Sequence, residues 1–566
     1  MKQISESRKT IIGRRNTPGE TVRDADGTTL NDDTVYSRRH FFRIAGTGMA
    51  VLCLGGIAGR ISPAEAGESG TPVFGGTLKA GMTADVVGLD PHISTAQSSH
   101  IVLHHVCDSL LAIDAAVDPK PNLAERWEVL DGGMRYRFYL KKGVTFHNGR
   151  QMTAQDVKYS LQRAANPDIA PVSSSHLKAM DTVTVLDDFT VEVKMKQLFA
   201  PFLNVLANEL MGPYIIPEGE GERQGGKITA PVGTGPFQFV EHKPDRFVIL
   251  RKFEGYRPLN DGEPSGLYGK KTAYVDEIRF MPITEPSVRV DALIVGDIDF
   301  CYTVPGKDIP RLKNAKGVTV QRSPGFGFAT INFNCSRPPF NNKKLRQAIA
   351  YAINKDEIIA VAQDGFAVKG TDPIPAGHRW RTPNMGRTAE HDLEKAKRLL
   401  KESGYAGETL VMKSTKAYRF MDKTAEMVQI QLQKIGVSLK VQYLDWGTML
   451  PDFIKGNYEC MAFGYTAKQD PNTVASENYW SKGLDLNRYA HSELDALVEA
   501  GMNTVEFEKR REIYDKIHMY TMGPDGDYPM IVTMHNDIVD GTGGRVNGYK
   551  VWPMNFPTFY NVWLKK

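Results

Sequence analysis

His100, His104 and Cys107 follow one another at i, i+4 and i+7, so a helix would present all three on one face. Imidazole and thiolate are ligands for zinc and copper, and such a face could hold an ion. The same spacing also marks a helix that packs one side into a core. The run His100 to Leu111 is apolar at that period, and the packed helix is the reading taken. Gly233-Thr234-Gly235-Pro236-Phe237 tempts a phosphate-loop reading, but no Gly-Lys-Ser/Thr follows it. No Ser/His/Asp or Cys/His arrangement sits in a recognisable catalytic motif, so neither catalysis nor a cofactor is expected. The five cysteines, Cys53, Cys107, Cys301, Cys335 and Cys460, are scattered without a Cys-x-x-Cys pair. That argues against a zinc ribbon, a redox motif or a disulfide-dense scaffold, while two distant pairs could still form in an oxidising compartment.

The chain that must position such residues has 566 of them, too many for one hydrophobic core, so two or more lobes are expected. Apolar residues make up 41% and charged residues 24%, ordinary for a globular protein. The formal charge is only +4 and no Lys/Arg-rich block stands out, so nothing points to nucleic acid.

The first 36 residues are polar and without hydrophobic period, as in a disordered leader. Ser37-Arg38-Arg39-His40-Phe41-Phe42-Arg43 follows, then an apolar run from Ile44 to Ile61 broken only by Arg60, then Ala64-Glu65-Ala66. This is the order of an export signal with a small-x-small cleavage site. The 16 residues before Arg60 include five glycines, which suits a spanning helix poorly, since one wants about 20 apolar residues. Ser-Arg-Arg-His-Phe-Phe-Arg resembles the twin-arginine export signal, and cleavage is expected near Ala66. Cys53 is preceded by Leu52, where a lipoprotein signal wants Gly or Ala, so Cys53 belongs to the discarded peptide.

Beyond the leader, Gly75 to Gly81 reads as a turn entering a strand, and Arg135 to Leu140 as an alternating aromatic strand. Thr153-Ala154-Gln155-Asp156 is a capping box with Asp in place of Glu, opening a helix with Val157 and Leu161 inward. Thr182 to Lys196 reads as a hairpin turning at Asp187-Asp188. Leu345 to Gln363 reads as one long helical stretch, and Asp392 to Ser403 as a helix stopped by Gly404. Leu410–Lys413, Asp422–Lys434 and Val437–Leu444 give strand, helix and strand, the unit of a mainly parallel sheet.

The longest ordered signature is Pro121-Asn122-Leu123-Ala124-Glu125-Arg126-Trp127-Glu128-Val129, then Asp131-Gly132-Gly133, the strand at 135–140, Lys142 to Gly149, and Thr153 to Val157. With Leu89-Asp90-Pro91, Gly233 to Phe237, Asp291-Ala292-Leu293 with Gly296 to Asp299, Asn334 to Phe340 with Leu345 to Ala348, and Tyr489, Ser492 and Asp495-Ala496-Leu497, it resembles the family 5 extracellular solute-binding proteins. These are the dipeptide, oligopeptide and nickel binders of ABC transporters. The likeness runs from Gly75 to about Gln431 and again from Tyr458 to the end.

The resemblance implies an α/β, two-lobed periplasmic-binding-protein fold with a hinge, mixed and parallel sheets and an inserted subdomain. One lobe is expected at 71–120, 228–328 and 522–566, with its insertion at 121–227, and the other at 329–521. Ligand would lie in the cleft and be buried by closure. Ala462 to Pro471 resembles the family loop Gly-Trp-x-x-Asp-x-x-Asp-Pro, shortened by one residue, with Tyr465 in the tryptophan's place. In peptide binders the first acid of that loop pairs with the ligand's amine, and Lys468 lies nearest its position here. A cleft-facing Lys468 would favour a carboxylate, a phosphate or a neutral polar ligand. Alternatively Lys468 points to solvent and Asp470 does the pairing. Trp380, Trp446, Tyr465 and Trp480 are candidate cleft walls, each with core packing as its alternative. Arg379 is a candidate carboxylate clamp and Gln97 a contact from the opposite lobe. The expected ligand is a peptide or peptide-like solute, with an opine, an acidic solute or an oligosaccharide as alternatives, or a sensor or chaperone role on the same fold. The expected partners are the membrane permease subunits, and a monomer is expected.

Overall fold

A computed structural model describes residues 70–210 and 212–566. The leader, the twin-arginine-like run, Cys53 and the Ala64–Ala66 site lie outside the described residues. Among the described residues no helix is long and apolar enough to cross a membrane.

One mixed sheet of eleven strands organises the chain. From one edge it runs Leu439–Tyr443, Leu410–Ser414, Cys460–Tyr465, Val318–Phe333, Met530–Gly543, Phe300–Cys301, Thr77–Met82, Glu277–Pro282, Phe247–Lys252 and Phe237–Lys243, with Ala367–Lys369 on the flank of Met530–Gly543. The two long central strands join its halves. Val318–Pro324 pairs with Asp537–Gly543 beside the first half, and Phe328–Asn332 pairs with Met530–His535 beside the second. The register breaks between Pro324 and Phe328. Gly325 sits in that break, where a Cβ would lie 2.3 Å from the Asn536 carbonyl oxygen. Hydrophobic packing divides along the same line. One cluster gathers residues from Leu78 to Tyr302 with Tyr549 to Leu564. A second gathers Ala329 to Tyr351, the helices after it and Tyr528 to Met534.

Local chemistry explains where the elements stop. The stretch 345–363 forms two helices, Lys343–Ala352 and Lys355–Ala362, rather than one. Asn354 divides them, because its side chain accepts from the N–H groups of Asp356 and Glu357 and starts a new helix. Asp392 caps Leu393–Ser403 and Gly404 ends it at φ 72°. Leu410–Ser414 and Leu439–Tyr443 pair in parallel across the helix Arg419–Gln433. A separate four-stranded antiparallel sheet, Ala124–Leu130, Arg135–Leu140, Thr190–Met195 and Met180–Asp187, carries the helix Ala154–Ala165. Val157 and Leu161 of that helix are fully buried. The Thr153 N–H donates to Asp156 Oδ2 at 2.8 Å, the Asp half of the predicted capping box. Cys107, Cys301, Cys335 and Cys460 are free thiols, so no pair forms among the described cysteines.

The helix expected from His100 to Leu111 spans Gln97–Val106 and is buried along almost its whole length. Gly233-Thr234-Gly235 closes its C-terminal end. A Cβ on Gly233 would meet the Val106 carbonyl oxygen at 2.1 Å, and one on Gly235 the His105 carbonyl oxygen at 2.5 Å. Thr234 donates to Asp108 Oδ2 at 3.0 Å, and Lys271 pairs with Asp108 Oδ1 at 2.7 Å. The motif is therefore a packing joint. Gly233→Ala is expected to cost about 1–3 kcal/mol of stability, because backbone and not a flexible side chain must shift. A denaturation midpoint unchanged from that of the parent protein would contradict this.

Candidate functional site

The strand Cys460–Tyr465 delivers the loop 466–470 to the start of the helix Pro471–Asn478. Tyr465 stacks on Phe328 at 4.8 Å between ring centroids, and its hydroxyl donates to Asn478 Oδ1 at 3.0 Å. Asp470 is the N-cap of the helix and accepts from the Asn472 N–H at 2.9 Å. Its carboxylate also holds Arg510 bidentately at 2.6 and 2.7 Å and accepts from Asn204. Asp470 and Arg510 are both buried, so this carboxylate is fully engaged inside the protein. Lys468 Nζ lies 3.0 and 3.1 Å from the two carboxylate oxygens of Glu477, on the helix that follows. Its charge is balanced within its own segment.

Gln469, between these two, reaches across. Its Nε2 donates to Glu209 Oε2. Glu209 follows the short helix Phe202–Leu206 and is only 5% exposed. Among the described residues it has no ion-pair partner. Burial pushes its carboxyl up to about 7, against a partial pull from the Lys468 charge.

The wall beside Glu209 includes His104 of the helix Gln97–Val106 and Tyr214, which both approach its backbone carbonyl. Gln97 Nε2 donates to the Asn555 carbonyl at 2.8 Å. His104 Nε2 lies 2.7 Å from the Glu209 carbonyl, and His100 Nε2 lies 2.8 Å from the Ser94 carbonyl. A carbonyl only accepts, so both Nε2 atoms carry the proton. Burial holds His100 near 4 and His104 well below the ordinary histidine value, so both rings are neutral. His100 stacks on Tyr214 at 5.9 Å and His104 packs on Phe556 at 5.1 Å. Cys107 is buried, with its thiol pushed up by burial, as the packed-helix reading requires. Among the described residues no group of three or more His, Cys, Asp and Glu is placed to hold a metal ion.

The other residues singled out by sequence lie around this region in different roles. Arg379 pairs with Asp118 and covers the Phe507 ring at 4.0 Å, while its N–H donates to the Ala116 carbonyl. Trp380 is buried against Phe507 and Tyr514, with the Arg510 guanidinium 4.8 Å from its ring. Trp446 packs between Tyr418 and Phe463. Trp480 Nε1 donates to Glu499 at 3.3 Å. The structure thus joins Gln469 of the 468–470 loop to Glu209, holds Gln97 on the C-terminal stretch, and ties Arg379, Trp380 and Trp480 into supporting contacts. Glu209 carries little sequence signal: it is one acid in the apolar run from Phe202 to Ile216, noticeable only because burial there leaves it without water. Two surface hollows, of about 100 Å³ beside Lys141–Thr145 and about 300 Å³ beside Lys343 and Asp527, share no residue with this wall.

The loop that carries Arg379 and Trp380 is anchored by a buried ion pair, His518 Nδ1 to Asp372 Oδ2 at 2.7 Å, with His518 Nε2 donating to the Arg387 carbonyl. Burial opposes the His518 charge, as does Arg381, but the Asp372 hydrogen bond and attraction outweigh both, so its pKa is raised. A raised histidine stabilises the fold fully below its unfolded value, near 6.5, and that stabilisation is lost as pH rises through the folded value. The urea midpoint is expected to fall across this window, and less so in His518→Phe. An equal fall in both proteins would contradict it.

Residues 118–485 match the family model described as bacterial extracellular solute-binding proteins, family 5, middle. The glutathione-binding protein GsiB of Salmonella paratyphi A is 27% identical over 490 residues, covering 84% of this chain and 92% of its own. The dipeptide-binding protein of Escherichia coli is 28% identical over 476 residues, covering 78% and 85%. In structure, the ABC transporter-associated periplasmic binding protein DppA from Helicobacter pylori, in complex with the peptide STSA, superposes with a TM-score of 0.70 at 26% identity, over 87% of this chain and 99% of that one. These relatives are named as binding proteins. With its fold and these likenesses in agreement, the chain belongs to the family 5 bacterial extracellular solute-binding proteins.

Proposed function

We propose that the chain is the substrate-binding component of an ABC importer and captures a peptide or peptide-like small solute between its two lobes. The observation that carries this is a contact between two segments far apart in the chain, beside the central strands that join the two halves of the sheet. Gln469, on the loop after Tyr465, reaches Glu209 on the segment after the helix Phe202–Leu206, 260 positions away. Binding is reversible and non-covalent, and closure makes the shape that the permease recognises. The lobes divide at the register break near 325, the first comprising the N-terminal part with its insertion at 121–227 and the last residues, the second beginning near Ala329. The protein is exported by the twin-arginine route, cleaved near Ala66, and acts as a monomer with permease subunits as partners.

The Lys468–Glu477 pair weighs against the acidic and opine-like alternatives, because the ammonium already has its carboxylate. A thermal-shift panel of short peptides, opines, acidic solutes and oligosaccharides tests the reading. A peptide at about a hundred times its Kd should add about 2.7 kcal/mol of stability and raise the melting temperature. A rise given only by acids or sugars would contradict the peptide assignment.

A further inference from the structure

We infer that the hollow of about 100 Å³ between the turn 141–145 and the segment 255–259 is a binding site for a small oxyanion, phosphate or sulfate, that bridges the two sheets. It shares no residue with the Glu209 wall and stands whatever solute the chain captures.

The lining is cationic. One side is the turn after the strand Arg135–Leu140 of the four-stranded sheet, and the other follows the strand Phe247–Lys252 of the eleven-stranded sheet. Lys141, Lys142 and Arg257 line the hollow with Thr145, Thr234 and Tyr256, and no Asp or Glu does. Positive charges gathered in one concavity repel each other, and an anion relieves that. Lys142 and Arg257 make no ion pair among the described residues. Lys142 Nζ lies 5.5 Å from the Phe189 ring, and Arg257 Nη1 donates to the Glu254 and Tyr256 carbonyls at 3.4 and 2.9 Å, leaving Nη2 and Nε unspent. Lys141 ties the two sides together, donating to the Leu259 carbonyl and to Asn260 Oδ1 at 2.9 Å. Burial holds its ammonium below the ordinary lysine value, against the pull of Glu125, Asp261 and Asp108. Asp108 is itself spent on Lys271 and Thr234.

The backbone of the turn adds a second observation. Gly143 takes φ 75°. Among the described residues the N–H groups of Lys142, Gly143 and Thr145 and the Thr145 hydroxyl make no hydrogen bond. Successive N–H groups in a turn form a concavity that suits anions. The Tyr256 hydroxyl is buried and without a partner as well. Each of these groups can donate. A cation would add charge to charge, and a neutral sugar would leave the charge unmet. A carboxylate brings two oxygens, whereas phosphate and sulfate bring four and use more of the lining. The hollow has about the volume of three waters, which suits an ion and not a nucleotide.

The test is calorimetry of the folded protein with sodium phosphate and with sodium sulfate, at constant ionic strength in chloride. One ion per chain should bind saturably. The double variant Lys142→Gln with Arg257→Gln should weaken binding by about tenfold or more, the effect of losing one charge-assisted hydrogen bond. Lys316→Gln with Lys550→Gln removes the same charge from exposed positions outside the hollow and should leave binding unchanged. Melting curves without the ion confirm that each variant folds, and phosphate should raise the melting temperature of the parent chain more than that of the first variant. Glycerol 3-phosphate should bind more weakly than phosphate, because the hollow is the size of an ion. Tighter binding of the ester would overturn the assignment to a free ion. No saturable binding up to about 10 mM, or an equal loss in both double variants, would overturn the site.

Discussion

Asp470→Ala should lower the stability of the folded chain by about 3–5 kcal/mol, the range for removing one partner of a buried ion pair. Among the described residues Asp470 is the only ion-pair partner of Arg510, in a pocket of Trp380 and Tyr514, and both partners are buried. Removing the carboxylate strands the guanidinium away from water, strips the cap from the helix Pro471–Asn478, and leaves the Asn204 amide without its acceptor. The cap alone accounts for about 1 kcal/mol. The double variant Asp470→Leu with Arg510→Met should lose much less than the two single losses added together, because no charge is then left alone. Chemical denaturation at constant m-value measures both. A single-variant loss below about 1 kcal/mol would mean that the pair is not buried in solution, and with it would go the view of Asp470 as structural rather than ligand-binding.

The stability of Glu209→Gln relative to the parent chain should rise with pH. Burial disfavours the Glu209 charge and pushes its carboxyl up from 4.5 to about 7. Ionising it there costs about 3 kcal/mol relative to water. The sign follows. The protonated carboxyl suits the folded form, so that form is favoured at low pH and loses stability as pH rises from 4.5 toward 7. Glu209→Gln carries no such loss, so its advantage should grow by about 3 kcal/mol from about pH 4 to about pH 8. Lys468 moderates the effect, since its charge pulls Glu209 down from across the loop, while His100 and His104 stay neutral over the whole range. Urea denaturation of both proteins across this range measures it. A difference that stays flat from about pH 5.5 to 8 would show that Glu209 is not buried in solution.

Glu209 and Gln469 lie 260 positions apart and meet through the Gln469 amide. That meeting buries an acid at a cost.

Much of the scaffold is legible in local sequence because its causes are local. Asn, Asp and Gly caps, the alternation at 135–140 and the strand–helix–strand unit after Leu410 all act within a few residues. The break at Asn354 is of the same kind, yet the apolar period continues through it and hides the cap. The family loop at Ala462–Pro471 also points to the right region. What spacing does not reveal is which way each charge is used. Lys468 is neutralised by Glu477 near the end of the helix after the loop, Arg379 is held by Asp118 from 261 positions away, and Asp470 is held by Arg510 and Asn204. Glu209 matters only because tertiary packing removes its water and supplies a neutral amide as its nearest partner. Such pairings are decided by burial over long sequence separations, where no periodic signal exists.

Native mass spectrometry of the gently purified protein, followed by identification of whatever denaturation releases, tests the central claim most directly. A tightly held solute survives such a purification. The account predicts a released short peptide or peptide-like molecule. A released acid or sugar would contradict it, and would return Lys468 to the centre of the site.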